Sequence, residues 1–311
     1  MKASRFHEFG GPDVLRYEDV EQPVPGAAEV LLRVAASGFN AVDAGIRGGY
    51  LQGPFPVMLP HTPGIEVAGT VEVLGEGVDQ FKVGDPVIAF LPMTADGAAA
   101  EYVIAPVESL ASAPTKIPLP DAAGLPMIGL TAWQALFDDA GLQPGQRVLI
   151  NGAGGGVGGY AVQLAKGSGA YAIATASPRS IERVRSAGAD EVIDHTTGEV
   201  TMSEPVDVLV NLAQVAPERL GVLAAHVRPG GIVVNTVPTI PTPSDEQRGV
   251  QGISLFVRSD TQQLAQLVEL VDRGELRVEV TERVPLSELA ALHARSESGA
   301  VSGKAIVIAT A

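Results

Sequence analysis

The chain has 311 residues, of which 46% are hydrophobic and 18% charged, so it can bury a full core and is long enough for about two domains. Its formal net charge of -15 argues against a general affinity for nucleic acid. It contains no cysteine, which excludes disulfides, thiolate metal sites and a cysteine nucleophile. There is no apolar signal segment and no run of about 18 apolar residues, so we predict a cytoplasmic protein that does not enter a membrane.

The first part of the chain, residues 1–118, predicts a small β-barrel-like domain. Its β-rich runs lie at residues 30–35, 67–73 and 86–89. Gly-containing turns at residues 75–77 and 84–85 separate these runs.

After residue 120 strands and helices alternate, which predicts a doubly wound parallel sheet over residues 120–258. A helix over residues 121–137 would begin at Asp121 as its N-cap. Further predicted strands lie at residues 147–151, 171–175, 191–193, 206–212 and 231–237, and predicted helices at residues 160–166, 181–187 and 220–227.

The tail alternates helix and strand over residues 261–273, 278–283, 287–297 and 304–309. We expect it to fold back onto the N-terminal domain. The chain is therefore predicted to be α/β, with one domain formed by residues 1–119 and 259–311 and a second formed by residues 120–258.

The strongest local signal is the glycine-rich segment at residues 152–158, which stands between a predicted strand and a predicted helix. Aligned on Gly155 and Gly158 it has the form A-x-G-x-x-G, with Ala153 at the first position. Such a turn lets the backbone approach a pyrophosphate at a helix N-terminus. A merely flexible loop is the alternative, but the order strand, loop, helix favours a dinucleotide site. The candidate contacts are Ala153, Gly154, Gly155, Gly156 and Val157.

The end of the next predicted strand bears on the choice between NAD and NADP. NAD-binding folds usually carry an acidic residue there for the ribose 2′-hydroxyl, whereas this chain continues with Ser177, Pro178 and Arg179. Arg179, with Arg183 one turn further on, can pair with a 2′-phosphate. A solvated loop charge is the alternative for Arg179. We favour NADPH, with Ser177, Arg179 and Arg183 as candidate contacts.

Several ordered motifs resemble the medium-chain dehydrogenase/reductase superfamily, and within it the zinc-independent quinone oxidoreductases, the zeta-crystallin group. They lie at residues 38–43 (GFNAVD), 63–69 (PGIEVAG), 83–85 (VGD), 100–102 (AEY), 129–133 (GLTAW), the glycine loop and residues 303–304 (GK). The resemblance covers nearly the whole chain. It implies a GroES-like β-barrel domain, completed by the tail, and a Rossmann domain, with the reaction in a cleft between them.

The same resemblance implies that no metal is bound. In the alcohol-dehydrogenase branch a cysteine zinc ligand stands where this chain has Asn40, and a histidine ligand stands where it has Ile65 beside Glu66. The lobe with four cysteines that holds a structural zinc is missing. Without a Lewis acid to polarise an alcohol or carbonyl oxygen, hydride transfer to an already electrophilic carbon is the expected reaction.

Two residues are candidates for catalysis. By resemblance Asn40 lies near the nicotinamide, where its amide would donate to a substrate oxygen or hold the cofactor's ribose; a turn-forming Asn before a helix is the alternative. Tyr50 follows in a loop where related enoyl reductases carry a candidate proton donor, and a cleft-lining aromatic is the alternative. His61, between prolines, is left unassigned.

The remaining candidate cofactor contacts also come from the resemblance. One group would lie near the nicotinamide, by packing or through backbone groups: Thr131, Val237, Pro238, Phe256 and Val257. The other would lie on the adenosine side: His195, which could instead be a surface loop residue, and Asn211. For Thr131 simple helix packing is the alternative.

These expectations combine into a zinc-free, NADPH-dependent reductase of a small, apolar quinone or α,β-unsaturated carbonyl compound. One alternative is an enoyl-thioester reductase of a biosynthetic pathway, although Arg47 is the only obvious base for a phosphopantetheine arm. Another is a weakly catalytic NADPH-binding sensor or structural protein. By resemblance we expect a homodimer that pairs edge strands near residues 252–256.

Overall fold

The computed structural model describes residues 1–198 and 200–309, and it divides into two compact units. The first unit comprises Met1–Met127 with Ser259–Ala311, and the second comprises Ile128–Arg258. The first division falls later than residue 119, because the short helix at Leu119–Ala122 packs on strands of the first unit. The α/β fold class, with a GroES-like unit and a Rossmann-type unit, is confirmed.

The N-terminal part of the first unit is built from short antiparallel strands. Its elements are β1 (Lys2–Phe6), β2 (Leu15–Asp19), β3 (Glu29–Gly38), α1 (Ala41–Arg47), β4 (Glu66–Leu74), β5 (Pro86–Phe90), β6 (Tyr102–Pro106), β7 (Leu110–Ser112) and α2 (Leu119–Ala122). The three predicted β-rich runs lie within β3, β4 and β5. Alternate residues of β3, such as Val30, Leu32 and Val34, fill the core, as expected for a period of two.

The second unit is a parallel sheet with intervening helices. Its elements are α3 (Pro126–Trp133, which begins in the first unit), a π-helical turn (Gln134–Asp139), β8 (Arg147–Asn151), α4 (Gly156–Gly167), β9 (Tyr171–Ala176), α5 (Ile181–Ser186), β10 (Glu191–Asp194), β11 (Val206–Asn211), α6 (Pro217–Ala224), β12 (Val227–Asn235) and β13 (Gln251–Ser254). The strand order is β10-β9-β8-β11-β12-β13, and every pair is parallel. This is the dinucleotide-binding order, in which ligands bind at the carboxyl ends of the strands.

Three predicted helices of this unit differ from the structure, and the one predicted over residues 160–166 begins earlier, at Gly156. The helix predicted over residues 121–137 is divided into α2, α3 and the π-helical turn, because Gly124 and Pro126 interrupt the hydrogen-bond ladder between α2 and α3. The helix predicted over residues 220–227 begins at Pro217, since proline is favoured in the first turn, and it ends before β12 begins at Val227.

The tail returns to the first unit, as expected. It consists of α7 (Thr261–Asp272), β14 (Val280–Pro285), α8 (Leu289–Glu297) and β15 (Lys304–Ile308). β15 pairs antiparallel with β3 and parallel with β14, which gives the sheet order β14-β15-β3-β4-β5-β7, with β6 also paired to β3. Among the described residues no helix is both long and apolar enough to cross a bilayer.

The start of α1 depends on a buried carboxylate. Asp43 Oδ2 accepts from the backbone N–H of Asn40 at 3.0 Å, and its Oδ1 accepts from that of Gly64 at 3.2 Å. Burial raises the pKa of Asp43 to about 6, although these two hydrogen bonds and the Lys304 charge act in the opposite direction. Asp43 thus ties the first turn of α1 to the segment before β4.

This raised pKa predicts a specific pH dependence of stability. Between its unfolded value near 4 and its folded value of about 6, the folded state binds the extra proton, so ionisation destabilises the fold as pH rises through this window. We expect the free energy of unfolding of wild type, measured relative to that of Asp43→Asn, to fall by about 1 kcal/mol between pH 5 and pH 7. Paired thermal or urea unfolding curves at both pH values measure it. A difference that does not change with pH would contradict the burial of an ionisable Asp43.

Candidate functional site

The glycine loop joins β8 to α4 and has the form that a pyrophosphate cradle requires. Gly152 has a φ of +90°, a backbone conformation that residues with a Cβ rarely adopt. A Cβ on Gly158 would lie 2.4 Å from the Cα of Ala153, so the helix approaches the loop more closely than any other residue would permit. Gly155 is the N-cap of α4 and supplies no side-chain cap to its first turn. The backbone N–H groups of this twelve-residue helix therefore suit an anion, and the residues present fit a dinucleotide.

The turn after β9 packs directly against this loop. Ser180 Oγ accepts from Ser177 N and donates to Ser177 O, each at 3.2 Å. A Cβ on Gly154 would lie 2.4 Å from the same Oγ, which explains a glycine there. Arg183 donates from Nη2 to the carbonyl of Gly154. The structure thus ties Arg183 to the loop backbone, whereas Arg179 is exposed. Sequence reasoning missed Ser180.

Three neighbouring strands each end in asparagine, and parallel pairing brings the three residues into register. Asn211 is paired with Asn151 on β8 and with Asn235 on β12. Asn151 Nδ2 donates to Asn211 Oδ1 at 2.7 Å, and Asn211 Nδ2 donates to Asn235 Oδ1 at 2.8 Å. Asn211 is fully buried, with its amide engaged on both sides, so the structure gives it a place inside the sheet edge. The sequence prediction identified Asn211 alone. Asn151 ends its predicted strand, but Asn211 and Asn235 lie inside the strands predicted over residues 206–212 and 231–237, so the row became apparent only from the observed strand ends.

The row continues at both ends into backbone groups. On one side Thr175 Oγ1 donates to Asn151 Oδ1 at 2.8 Å and accepts from Gly152 N at 2.9 Å. On the other side Asn235 Nδ2 donates to the carbonyl of Ile240 at 2.8 Å. We call Thr175, Asn151, Asn211 and Asn235 the amide ladder.

The other candidate contacts of this unit follow strand ends at the same edge, except Thr131, which is buried within α3. Val237 follows β12, where its N–H donates to Asn235 Oδ1 at 3.2 Å, and Pro238 comes next. Phe256 and Val257 follow β13, and 53% of the Phe256 surface is exposed. The carboxyl edge of the sheet therefore gathers most of the predicted cofactor residues.

His195 lies just after β10 at this edge. Its backbone N–H donates to Ala176 O at 3.1 Å, and its carbonyl accepts from Arg219 Nη2 at 3.2 Å. The residue is exposed, so its position is fixed by its backbone. A role beside the adenosine phosphate stays a prediction.

In the first unit, Asn40 lies in a buried charged cluster that also contains Glu66 and Lys304. The Lys304 ammonium donates to Glu66 Oε1 at 2.9 Å, to Asn40 Oδ1 at 2.8 Å and to the carbonyl of Phe39 at 3.1 Å. Asn40 Nδ2 donates to the same Glu66 Oε1 at 2.7 Å. A Cβ on Gly38 would lie 2.5 Å from Glu66 Oε2, so this close approach needs glycine. The oxygen and the nitrogen of the Asn40 amide both form hydrogen bonds within this cluster. To donate to a substrate, the amide would have to give up the bond to Glu66.

Tyr50 and His61 take different places in the same unit. Tyr50 lies in the turn after α1, is 85% exposed and holds its ring over Gly48. His61 is buried against Phe6, with ring centroids 5.3 Å apart, and burial lowers the pKa of its imidazole. A catalytic role for Tyr50 stays a prediction, and the contacts of His61 are those of a packed side chain.

Lys304 is the residue of this unit that sequence reasoning missed, since the Gly-Lys motif gave it no role. A lysine between a glycine and an apolar strand was the available signal, because β15 is otherwise apolar. Within residues 1–198 and 200–309 no group of three His, Asp or Glu side chains is arranged to hold a metal ion.

Comparisons with known proteins cover the same regions. The alcohol dehydrogenase GroES-like domain matches residues 26–115, and the zinc-binding dehydrogenase family matches residues 187–307. A chloroplast envelope quinone oxidoreductase homolog of Arabidopsis thaliana is 34% identical over 99% of this chain and 98% of its own length.

Solved structures agree with that match. A quinone oxidoreductase from Coxiella burnetii superposes with a TM-score of 0.90 at 30% identity, covering 99% of both chains. An NAD-dependent alcohol dehydrogenase reaches 0.90 at 28% identity, again covering 99% of both chains. A mycobacterial protein complexed with NADPH reaches 0.85 at 28% identity, covering 99% of this chain and all of its own. The chain therefore belongs to the quinone oxidoreductase family of the medium-chain dehydrogenases/reductases and is an oxidoreductase.

Proposed function

We propose that the protein is an NADPH-dependent reductase that passes a hydride to a small, apolar quinone or α,β-unsaturated carbonyl compound. The observation that carries the proposal is the carboxyl edge of the parallel sheet, where the glycine loop lies against the turn that bears Arg179. A glycine cradle suits the pyrophosphate, and an exposed guanidinium beside it suits a 2′-phosphate.

The charges around that turn support NADPH over NADH. Arg179 is exposed and forms no ion pair within the described residues. Two nearby carboxylates are already engaged: Glu182 pairs with Arg185 at 2.8 Å, and Asp194 accepts from Thr196 Oγ1 at 2.6 Å. A ribose 2′-hydroxyl would lack the acidic acceptor that NAD sites usually provide. The similar solved structures include both an NADPH complex and an NAD-dependent enzyme, so the preference for NADPH rests on these residues.

The chain's own residues contribute mainly by positioning. NADPH, when bound, supplies the hydride. The first turn of α4 would hold its pyrophosphate, and the backbone around Val237 would hold the carboxamide, which fixes the face of the ring that points at the acceptor. Because the Asn40 amide is committed to Glu66 and Lys304, it is better suited to shaping the site than to donating a proton. The exposed phenol of Tyr50 remains the candidate donor to the acceptor oxygen.

The buried cluster in the first unit supports a reaction without zinc. The Lys304 ammonium, with three hydrogen-bonded acceptors, contacts Asn40, which by resemblance stands at one zinc-ligand position, and Glu66, which adjoins the other at Ile65. A dication beside a buried ammonium would be strongly repelled. The fixed lysine charge balances Glu66 in the place of a metal.

The apolar character of the acceptor is inferred from the segment between α1 and β4. Its exposed large side chains are Tyr50, Met58 and Leu59. Arg47, the one base considered for a phosphopantetheine arm, is buried; it donates to Gly10 O at 3.1 Å and bonds His293 Nδ1 at 3.0 Å. This disfavours the enoyl-thioester alternative. The other alternative, a weakly catalytic NADPH-binding sensor, would differ from a reductase in its low turnover.

We also propose a homodimer formed through β13. This short strand is the edge of the six-stranded sheet, and most of its residues are exposed. Pairing with a second copy would satisfy its unpaired backbone groups. A cytoplasmic location likewise stays a prediction from the sequence.

The first prediction of the proposal concerns cofactor and acceptor. We expect the protein to oxidise NADPH faster than NADH when the acceptor is a benzoquinone, a naphthoquinone or an alkenal. With an enoyl thioester as acceptor, NADPH oxidation should be slower than with these three. The measurement is the steady-state loss of NADPH or NADH absorbance at 340 nm with each of the four acceptors. Tight NADPH binding with no turnover on any acceptor would favour the sensor alternative, and a preference for NADH would show that the NADPH assignment is wrong.

A second prediction isolates Arg179. Because charge-assisted hydrogen bonds contribute about 1.5–3 kcal/mol, Arg179→Gln should raise the KM for NADPH roughly tenfold to a hundredfold and leave the KM for NADH nearly unchanged. Arg228→Gln is the matched control, since Arg228 pairs with Asp207 near the amino-terminal ends of β11 and β12, away from the candidate site. Equal effects of both substitutions on NADPH would contradict a specific 2′-phosphate contact.

A third prediction concerns Lys304 and metal. We expect wild-type activity to be insensitive to EDTA, and Lys304→Met to lower stability by about 3–5 kcal/mol because it leaves Glu66 charged and unpaired. The double variant with Glu66→Gln should recover part of that loss. Lys2→Met, which removes an exposed ion pair, should change stability far less, because solvent screens that pair. Thermal unfolding and metal analysis test this, and stoichiometric zinc that EDTA removes with loss of activity would contradict it.

A further inference from the structure

The amide ladder has a single direction. Its hydrogen bonds run from Gly152 N to Thr175, then through Asn151 and Asn211 to Asn235, with each residue accepting from the one before and donating to the one after. The last donor, Asn235 Nδ2, points to the carbonyl of Ile240 at 2.8 Å. The row therefore connects the glycine loop with the segment after β12 through side chains alone.

We propose that the amide ladder is a positioning device that sets the distance between the two cofactor-holding segments of the second unit. One is the glycine loop at residues 152–155, and the other is the segment at residues 237–240. The inference rests on the proposed dinucleotide function of this edge. It assigns to Thr175, Asn151, Asn211 and Asn235 a role in binding that involves no contact with the cofactor.

Burial makes the ladder rigid. All four side chains are at most 5% exposed, so water is poorly placed to replace a lost partner. Rotating one amide by half a turn would place donor against donor and acceptor against acceptor, which fixes every amide in one orientation. Aligned hydrogen bonds in a low-dielectric setting also polarise one another. The ladder therefore resists a change at any one member.

Both ends of the ladder bind backbone groups of the two segments. Thr175 Oγ1 accepts a hydrogen bond from the N–H of Gly152, the residue with positive φ at the start of the loop. Asn235 holds the next segment at three points, since it accepts from Val237 N and donates to Val237 O and Ile240 O. A change at Asn211, in the middle, should shift one end relative to the other.

The central test uses Asn211→Leu, which keeps the approximate size of the side chain. It removes the two hydrogen bonds of Asn211 within the ladder, together with its two to the backbone of Ala213. We expect the Kd for NADPH to rise about tenfold, and the Kd for adenosine 2′,5′-bisphosphate to stay within about twofold of wild type. The fragment would contact only the β8–β9 end, whereas NADPH must reach both segments. Isothermal titration calorimetry measures both ligands on the full-length protein.

Two controls separate positioning from general destabilisation. Val208→Ala removes buried apolar volume from the same strand and should lower the Tm without weakening NADPH binding. Thr175→Val removes the hydroxyl between Gly152 and Asn151 and should weaken NADPH binding several-fold, whereas Thr175→Ser keeps that hydroxyl and should restore it. This pair keeps the test decisive if Asn211→Leu does not fold.

The outcomes are distinguishable. Equal weakening of NADPH and of the fragment by Asn211→Leu would overturn the inference, because it would locate the effect at one end. Unchanged NADPH binding in both Asn211→Leu and Thr175→Val would overturn it as well. If wild type does not bind NADPH, the proposed function fails first, and the inference fails with it.

Discussion

Parallel, in-register pairing of the strands is the constraint on which the second unit depends. In β8, β11 and β12 the same side-chain position falls at the same height, so three strand-final asparagines meet edge to edge. Parallel strands also end at one edge, where the glycine loop and the later connecting segments must lie. A slip of one residue in any of these strands would turn its asparagine to the opposite face and break the row. Strand register therefore determines both the core and the candidate site.

The first unit depends on a different interaction, a buried ion pair with an amide. Lys304 comes from the tail, whereas Asn40 and Glu66 come from the N-terminal part, so their cluster joins the two ends of the chain. An isolated buried charge is costly, and this pair is tolerated because the ammonium has three acceptors. Pairing of β15 with β3 brings the lysine there. The tail thus completes both the sheet and the charge balance of the unit.

The sequence predicted the larger elements well, because glycine turns and apolar periodicity are local signals. The glycine loop and the βα alternation needed only patterns within short windows, whereas the return of the tail was implied by the family resemblance. Two helix boundaries were wrong where Pro126 and Pro217 changed the local geometry, since periodicity alone does not locate an end. The partners of Asn40 could not be predicted, because Lys304 lies 264 positions away. Likewise the family resemblance indicated Asn211 as a site residue, and only the strand register revealed it as one member of a row.

The chemistry of the two clusters suits what each unit has to do. At the carboxyl edge of the second unit the side chains of the ladder are neutral, although aspartate would fit the same space. The chain already carries a net charge of -15, and a row of carboxylates beside the glycine loop would repel the phosphates of the proposed cofactor. Amides provide directed hydrogen bonds without the electric field of carboxylates, so they would not oppose the helix N-terminus of α4 in holding the pyrophosphate of that cofactor. In the first unit a full positive charge is acceptable, because it is neutralised within hydrogen-bond distance by Glu66. The neutral amides at the carboxyl edge are therefore compatible with the anionic cofactor proposed for this acidic protein, and the charged cluster of the first unit is balanced within itself.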